Sequence, residues 1–192
     1  MNEGQTPDFR VFAEDGLAFY CEVKTAQKDE WLKKQLVDAP PLTLVGGLRQ
    51  DPTYNRVSNY IHGAVAQFDA VNPLVDVPNI LAIVNGDDIG GFADLIHVLT
   101  GNAYCESGDV IPIFRSVSEG RIKEEKLRVH LYLWLDDWKA GNPQMFFPEV
   151  HPEHHSTVCH HFKQDPAQLK RLPDGKRIPT PTAGVKWFEN GK

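Results

Sequence analysis

The sequence predicts an α/β fold, a central mixed β-sheet flanked by helices, and three stretches carry the prediction. Two β-rich runs, residues 7–13 and 17–24, flank Glu14-Asp15-Gly16 and read as an antiparallel hairpin. In residues 51–72, Tyr54, Val57, Ile61, Ala64, Val65 and Phe68 recur at helical spacing. The run Ile80-Leu81-Ala82-Ile83-Val84, ending at Asn85-Gly86, is almost unbroken in its apolar character, as a strand buried on both faces requires.

In the hairpin, Glu14-Asp15-Gly16 suits a three-residue loop closed by a glycine in the left-handed region. That loop pairs Ala13 with Leu17 and, counting outward, Asp8 with Glu22. The side-chain period of two then puts Asp8, Arg10, Phe12, Ala18, Tyr20, Glu22 and Lys24 on one face. Phe9, Val11, Phe19, Cys21 and Val23 are left for the other, which reads as the core face. Opposed side chains have Cβ atoms roughly 5 Å apart, and like charges at that distance repel. Asp8 and Glu22 so placed call for a cation, and with oxygen ligands alone the ion is Mg²⁺ or Mn²⁺. A two-residue Asp15-Gly16 loop would instead put the two carboxylates on opposite faces, because a one-residue slip flips every side chain. A β-bulge near Asp8 would restore the site in either register.

Further along, Thr25 to Asp38 reads as a short helix or helical loop stopped by Pro40-Pro41, and Leu42 to Leu48 as a small strand. The helix over 51–72 carries a second, polar stripe of Arg56, Tyr60 and Gln67. After the buried strand of residues 77–84, Asp87 or Asp88 can cap a helix running to about Leu99, with Ile89, Phe92, Leu95, Ile96 and Leu99 inward. Gly101 suits its C-terminal cap. Val110 to Phe114 reads as a strand that Pro112 confines to an edge. Leu127 to Leu135 alternates aliphatic residues with Arg128, His130, Tyr132 and Trp134, a period-two strand. Gln144 to Val150 is one more candidate strand.

Pro7-Asp8, then Glu22-Val23-Lys24 after thirteen intervening residues, resembles the PD-(D/E)xK motif of the restriction-endonuclease-like nuclease superfamily. The succession strand, helix, strand, helix and the stretch from Ala66-Gln67-Phe68 through Asn72-Pro73 to Pro78-Asn79-Ile80-Leu81 are similar to uncharacterised bacterial members. The resemblance covers about residues 7–100. It implies a restriction-endonuclease-like core and a Mg²⁺- or Mn²⁺-dependent nuclease hydrolysing DNA phosphodiester bonds. It implies that Asp8, Glu22 and the Val23 backbone carbonyl hold the metal, that Lys24 assists the attacking water, and that Gln67 approaches metal and substrate. The tyrosine that follows such a glutamine in relatives is replaced here by Val71. Family members also carry a helix before the hairpin. With seven residues ahead of Asp8, the expectation is either a shortened variant or fragment, or another segment, a second copy or a partner in that place. The alternative reading is a catalytically inactive nuclease-fold module that binds nucleic acid or protein.

Composition narrows the classes. The chain has 192 residues, 41% of them hydrophobic, which fits one soluble domain. No stretch reaches the roughly 18 consecutive apolar residues of a membrane span. Met1-Asn2-Glu3-Gly4-Gln5 lacks a signal peptide's basic start and apolar core. Cys21, Cys105 and Cys159 are odd in number and widely spaced, so the expected compartment is a reducing cytoplasm. A net charge of −6 weighs against a nucleic-acid partner in the sum. Basic residues nevertheless cluster at Lys24, Lys28, Lys33 and Lys34 and again at Arg115, Arg121, Lys123, Lys126 and Arg128. A nuclease-like domain over 1–138 and a His/Pro-rich, partly irregular extension over 139–192 are the expected organisation. Within the extension, His151-Pro152-Glu153-His154-His155-Ser156-Thr157-Val158-Cys159-His160-His161 holds five of the eight histidines and one cysteine. Those are zinc-ligand types, and a zinc-binding regulatory protein is a further alternative. Pro152 and the lack of a paired C-x-x-C speak for an exposed polar loop instead.

Overall fold

The computed structural model describes residues 6–14, 16–27, 34–35, 37, 39–43, 53–87, 90–104, 109–112, 122, 124–137, 144–146, 158 and 160. Strands β1 (Phe9–Ala13) and β2 (Gly16–Ala26) form the hairpin. Helix α1 (Thr53–Val71) leads to β3 (Asn79–Asn85), and α2 (Phe92–Thr100) follows. Next come β4 (Asn102–Tyr104), β5 (Val110–Pro112), a 3-10 turn (Glu125–Arg128), β6 (Leu131–Asp136) and β7 (Gln144–Phe146). Five strands make one mixed sheet in the order β1-β2-β3-β6-β7. The central pairs β2–β3 and β3–β6 are parallel, and the outer pairs β1–β2 and β6–β7 are antiparallel. Parallel neighbours need a crossover, and α1 supplies the one between β2 and β3. β4 and β5 pair separately, so the strand at Val110 lies outside the main sheet. β7, within the segment read as an extension, pairs with β6.

The apolar stripe of α1 (Val57, Ile61, Ala64, Val65, Phe68) and that of α2 (Phe92, Leu95, Ile96, Leu99) enter one core with Leu81, Ile83, Tyr132, Trp134 and Phe146 from the sheet. Both helices therefore cover the same face. The opposite face holds a smaller cluster of Ile80, Leu131, Met145 and Val158, with Phe19, Cys21 and Leu133 packed against it. β3 sends Leu81 and Ile83 to one side and Ile80 to the other, which is why its sequence shows no alternation.

Several local expectations are corrected. The hairpin turn is tighter than a three-residue loop: Ala13 pairs with Gly16 and Phe12 with Leu17. Val11 then pairs with Phe19, so Ala18 is an extra residue in β2, a β-bulge. Beyond it Phe9 pairs with Cys21, the register that brings Asp8 opposite Glu22. The core face is also the reverse of the expected one. Tyr20 packs into the larger, helix-covered core, and Phe19 and Cys21 into the smaller cluster. The cap of α2 is Gly91, not Asp87 or Asp88. The Gly91 N–H donates to Asp94 Oδ2 at 2.8 Å, and the Asp94 N–H donates to the Gly91 carbonyl at 2.9 Å. Asp87 instead pairs with Arg56 at 3.4 Å. Gly101 does close α2, at φ 76°. The strand expected from Leu127 begins only at Leu131, because residues 125–128 coil into the 3-10 turn and leave Leu127 exposed. Leu42 sits in a turn at φ 65°, with the Thr43 N–H donating to the Pro40 carbonyl. The rest of the strand expected over 42–48, and most of the helix expected over 25–38, lie outside the described residues.

A neutral polar network fixes α1 to the sheet. Asn72 precedes Pro73 and leaves the helix, as a residue before proline prefers. Its Nδ2 donates to the Val77 carbonyl at 2.7 Å and to Asn79 Oδ1 at 2.9 Å, and its Oδ1 accepts the Asp76 N–H at 3.0 Å. Asn79 Nδ2 donates to the Arg128 carbonyl at 2.9 Å. The Asn79 N–H donates to His130 Nδ1 at 3.0 Å, and the His130 N–H returns a bond to the Asn79 carbonyl at 2.8 Å. An accepting Nδ1 places the ring proton of neutral His130 on Nε2. Asn72, Asn79 and His130 are all buried.

Candidate active site

The outer register of the hairpin and the helix-facing side of β2 bring four sequence-predicted residues together. Glu22 lies on β2, between β1 and β3, and is 2% exposed. Its Oε2 accepts the Asp8 N–H at 3.1 Å, and its Oε1 accepts from Lys24 Nζ at 2.5 Å. Asp8 answers with Oδ2, which accepts the Val23 N–H at 2.9 Å. The two chain segments thus hold each other through one carboxylate each, where a regular ladder would use backbone groups. Glu22 and Lys24 are two apart on a strand and so share a face.

Helix α1 closes the constellation from above. Lys24 Nζ donates to Gln67 Oε1 at 3.0 Å, and Gln67 Nε2 donates to the Thr6 carbonyl at 3.3 Å. One amide therefore ties the lysine to the segment that carries Asp8. Tyr60, two turns earlier on the same stripe, donates its hydroxyl to the Thr25 carbonyl at 3.2 Å and pins the backbone just after Lys24. Gly63 lies between them, four residues before Gln67 and on its row. A Cβ at Gly63 would stand 3.9 Å from both Lys24 Cε and Nζ, with no other described atom within 4 Å. Tyr60 was legible as part of the polar stripe; Gly63 and the Thr6 carbonyl were not, since neither carries a side chain with chemistry of its own.

Two carboxylates and one ammonium leave a negative charge uncompensated within the constellation, and exposed Asp8 carries it toward solvent. The neighbouring Cys21 thiol registers the surroundings. Burial, and then the charges of Asp8 and Glu22, push it up to about 11. Such a thiol is protonated at neutral pH and is no nucleophile.

Hard oxygen donors are what Mg²⁺ or Mn²⁺ takes, and Asp8, Glu22 and the Val23 carbonyl are of that kind. Both Glu22 oxygens are engaged within the protein, so Asp8 Oδ1 is the carboxylate oxygen of this set left open to an ion among the described residues. Glu22 already draws a cationic group to 2.5 Å, and Asp8 Oδ1 has no partner among the described residues. The set is small: among the described residues no group of three or more His, Cys, Asp or Glu side chains could hold a metal. The zinc expectation at His151–His161 lies outside the described residues except for Val158, which is buried in the smaller cluster, and exposed His160.

A second titratable pair joins the helices. The Tyr54 hydroxyl lies 3.5 Å from His97 Nδ1, with the rings tilted and their centroids 6.2 Å apart. Burial lowers the His97 pKa, with Asp94 opposing, and burial raises that of Tyr54.

No family model, curated protein or solved structure matches this chain. The fold itself defines the class: an α/β protein with a mixed five-stranded sheet and, among the described residues, two helices on one face of it. None of the described helices is long and apolar enough to cross a membrane.

Proposed function

We propose that this protein is a metal-dependent nuclease that hydrolyses DNA phosphodiester bonds from a restriction-endonuclease-like core. One observation carries the reading: Asp8 just ahead of β1, Glu22 and Lys24 on β2, and Gln67 on α1 form a single hydrogen-bonded chain at the hairpin. The sequence of hairpin, crossover helix and parallel strand agrees with it.

Asp8 and Glu22, with the Val23 carbonyl, are the residues that would hold Mg²⁺ or Mn²⁺. The ion would supply an acidified water and counter-charge for the phosphorane-like transition state. Lys24, the cation of the chain itself, donates to the attacking water and orients it toward phosphorus. Gln67 spends its carbonyl oxygen on Lys24 and its amide nitrogen on Thr6, so it acts by positioning the lysine and the Asp8 segment. Its contact with substrate is not required.

The competing reading is a nuclease-fold module that binds nucleic acid or protein without cutting. What favours it is that both Glu22 oxygens already have protein partners, as in a purely structural tie. Supercoiled plasmid, linear duplex and single-stranded DNA, incubated with millimolar Mn²⁺, decide between the two. Cleavage should fall at least about a hundredfold in Glu22→Ala and in Lys24→Met, the scale of a lost acid–base or water-positioning group. Mn²⁺ should also raise the melting temperature, because a ligand confined to the folded state stabilises it by mass action, and Glu22→Ala should abolish that rise. Intact DNA together with an unmoved melting curve would leave only the binding module.

A further inference from the structure

Glu22 is buried, yet the cation that compensates it sits on a flexible stem. The tip of that stem faces the one position on the α1 row that lacks a side chain. Lys24 Nζ makes two contacts of different kinds: an ion pair to Glu22 Oε1 at 2.5 Å and a neutral hydrogen bond to Gln67 Oε1 at 3.0 Å. Four methylenes separate the ammonium from the strand. The group can therefore rotate about the Gln67 bond without moving β2. Gly63 lies one helical turn from Gln67, and its nearest described neighbours would be Lys24 Cε and Nζ. A Cβ there would touch the lysine tip at ordinary van der Waals distance, so a side chain longer than alanine's would crowd it.

We propose that Lys24 is the exchangeable counter-ion of Glu22. It yields Oε1 to a divalent cation and swings, tethered by Gln67, into the space that Gly63 leaves. The inference rests on the metal-dependent reading above and deepens it. It assigns Lys24 two positions, one that balances Glu22 and one beside the ion, and it assigns Gly63 the room for the second. Binding of the ion then includes the work of displacing an internal cation. A burial of charge that would otherwise be repulsive is in this way tolerated before the ion arrives.

Calorimetric titration of the full chain with Mg²⁺ and with Mn²⁺, without DNA, tests this apart from activity. Lys24→Met has no cation to displace, and its affinity should exceed the native protein's by about tenfold, the equivalent of about 1.4 kcal/mol. Gly63→Leu keeps every ligand but fills the space, so its affinity should fall by a similar factor. Circular dichroism should report native secondary structure for Gly63→Leu, which replaces glycine by a good helix former. Should Lys24→Met fail to fold, Gly63→Leu alone carries the test. Equal or weaker binding by Lys24→Met, or unaltered binding by Gly63→Leu, overturns the exchange while leaving the metal site standing. No binding by the native protein or by Lys24→Met overturns both the exchange and the nuclease reading. Binding by Lys24→Met alone supports the exchange in its strongest form.

Discussion

Two polar networks connect α1 to the sheet, and they are built on opposite principles. At the C-terminal end of the helix, Asn72, Asn79 and His130 are neutral and buried, and most of their bonds go to backbone groups. Around Gln67, the network consists of Glu22, Asp8 and Lys24, and it includes an exposed carboxylate and a half-exposed ammonium. The asparagine amides of the first network carry no formal charge and can be satisfied by geometry alone. Formal charges cannot be balanced one to one by two acids and one base, so the second keeps a negative charge that its own members do not compensate. A charged tie and a neutral one thus stand at one helix, five residues apart at Gln67 and Asn72.

The largest effect expected from this contrast is on stability at the neutral end. Asn72→Ala orphans the Val77 carbonyl and Asn79 Oδ1, each costing about 1–3 kcal/mol when buried. Urea unfolding should show a loss of about 3 kcal/mol, and the loss should be the same with or without Mn²⁺. A metal-dependent loss would mean that the two networks are one unit. The charged end should behave differently. Lys24→Met strands a buried carboxylate and should cost about 1–2 kcal/mol, less than the 3–5 of a wholly buried pair because Lys24 is 24% exposed. Glu22→Gln combined with Lys24→Met should recover most of that cost. Strict additivity of the two single changes would show that packing, and not charge, is what the pair contributes.

The smallest effect lies between the helices, at His97. Burial depresses its pKa below the ordinary 6.5, so the unfolded chain takes up a proton more readily than the folded one. Stability is therefore full above the unfolded value and declines as pH falls from there through the folded one. His97→Gln should flatten that acid limb of the stability curve below pH 6.5 while leaving the neutral limb in place. An unchanged acid limb would assign it to other groups.

The long periodic elements were legible in the sequence because one force dominates each. The stripe of Val57, Ile61, Ala64, Val65 and Phe68 has the spacing of a helix face, and the short apolar run from Ile80 to Val84 between turn signals fits a strand buried twice. Where two forces compete, reading failed. Asp87 looked like a cap, but Arg56 and the side chain of Asn85 engage it, and Gly91 with Asp94 does the capping. Leu127 fitted an alternating pattern, but the 3-10 turn took it before the strand began. Tyr20 and Cys21 looked correctly divided between two faces, but which face the helices cover depends on the chain beyond the hairpin. The candidate site was readable as residues, through the spacing of Asp8, Glu22 and Lys24, and its closure by Gln67 through the polar stripe. Asn72 and Asn79 stood out in the sequence only as part of a familiar stretch, not as a network, since they meet His130 only when β3 and the start of β6 are side by side.

The bulge at Ala18 divides the hairpin into a tip and a base that keep separate counts. On the tip side, Ala13 to Gly16 forms the shortest turn the chain could make, and on the base side Phe9 opposite Cys21 sets the alignment of the carboxylates. A bulge leaves one residue unpaired and disrupts the ladder locally, and the pairing resumes on either side of it. The tip can therefore gain or lose a residue, with the bulge disappearing or growing to match, and Asp8 stays opposite Glu22. In engineering terms the hairpin carries a built-in slack adjuster: tags, epitopes or length variation belong at residues 14–16, on the far side of Ala18 from the carboxylates.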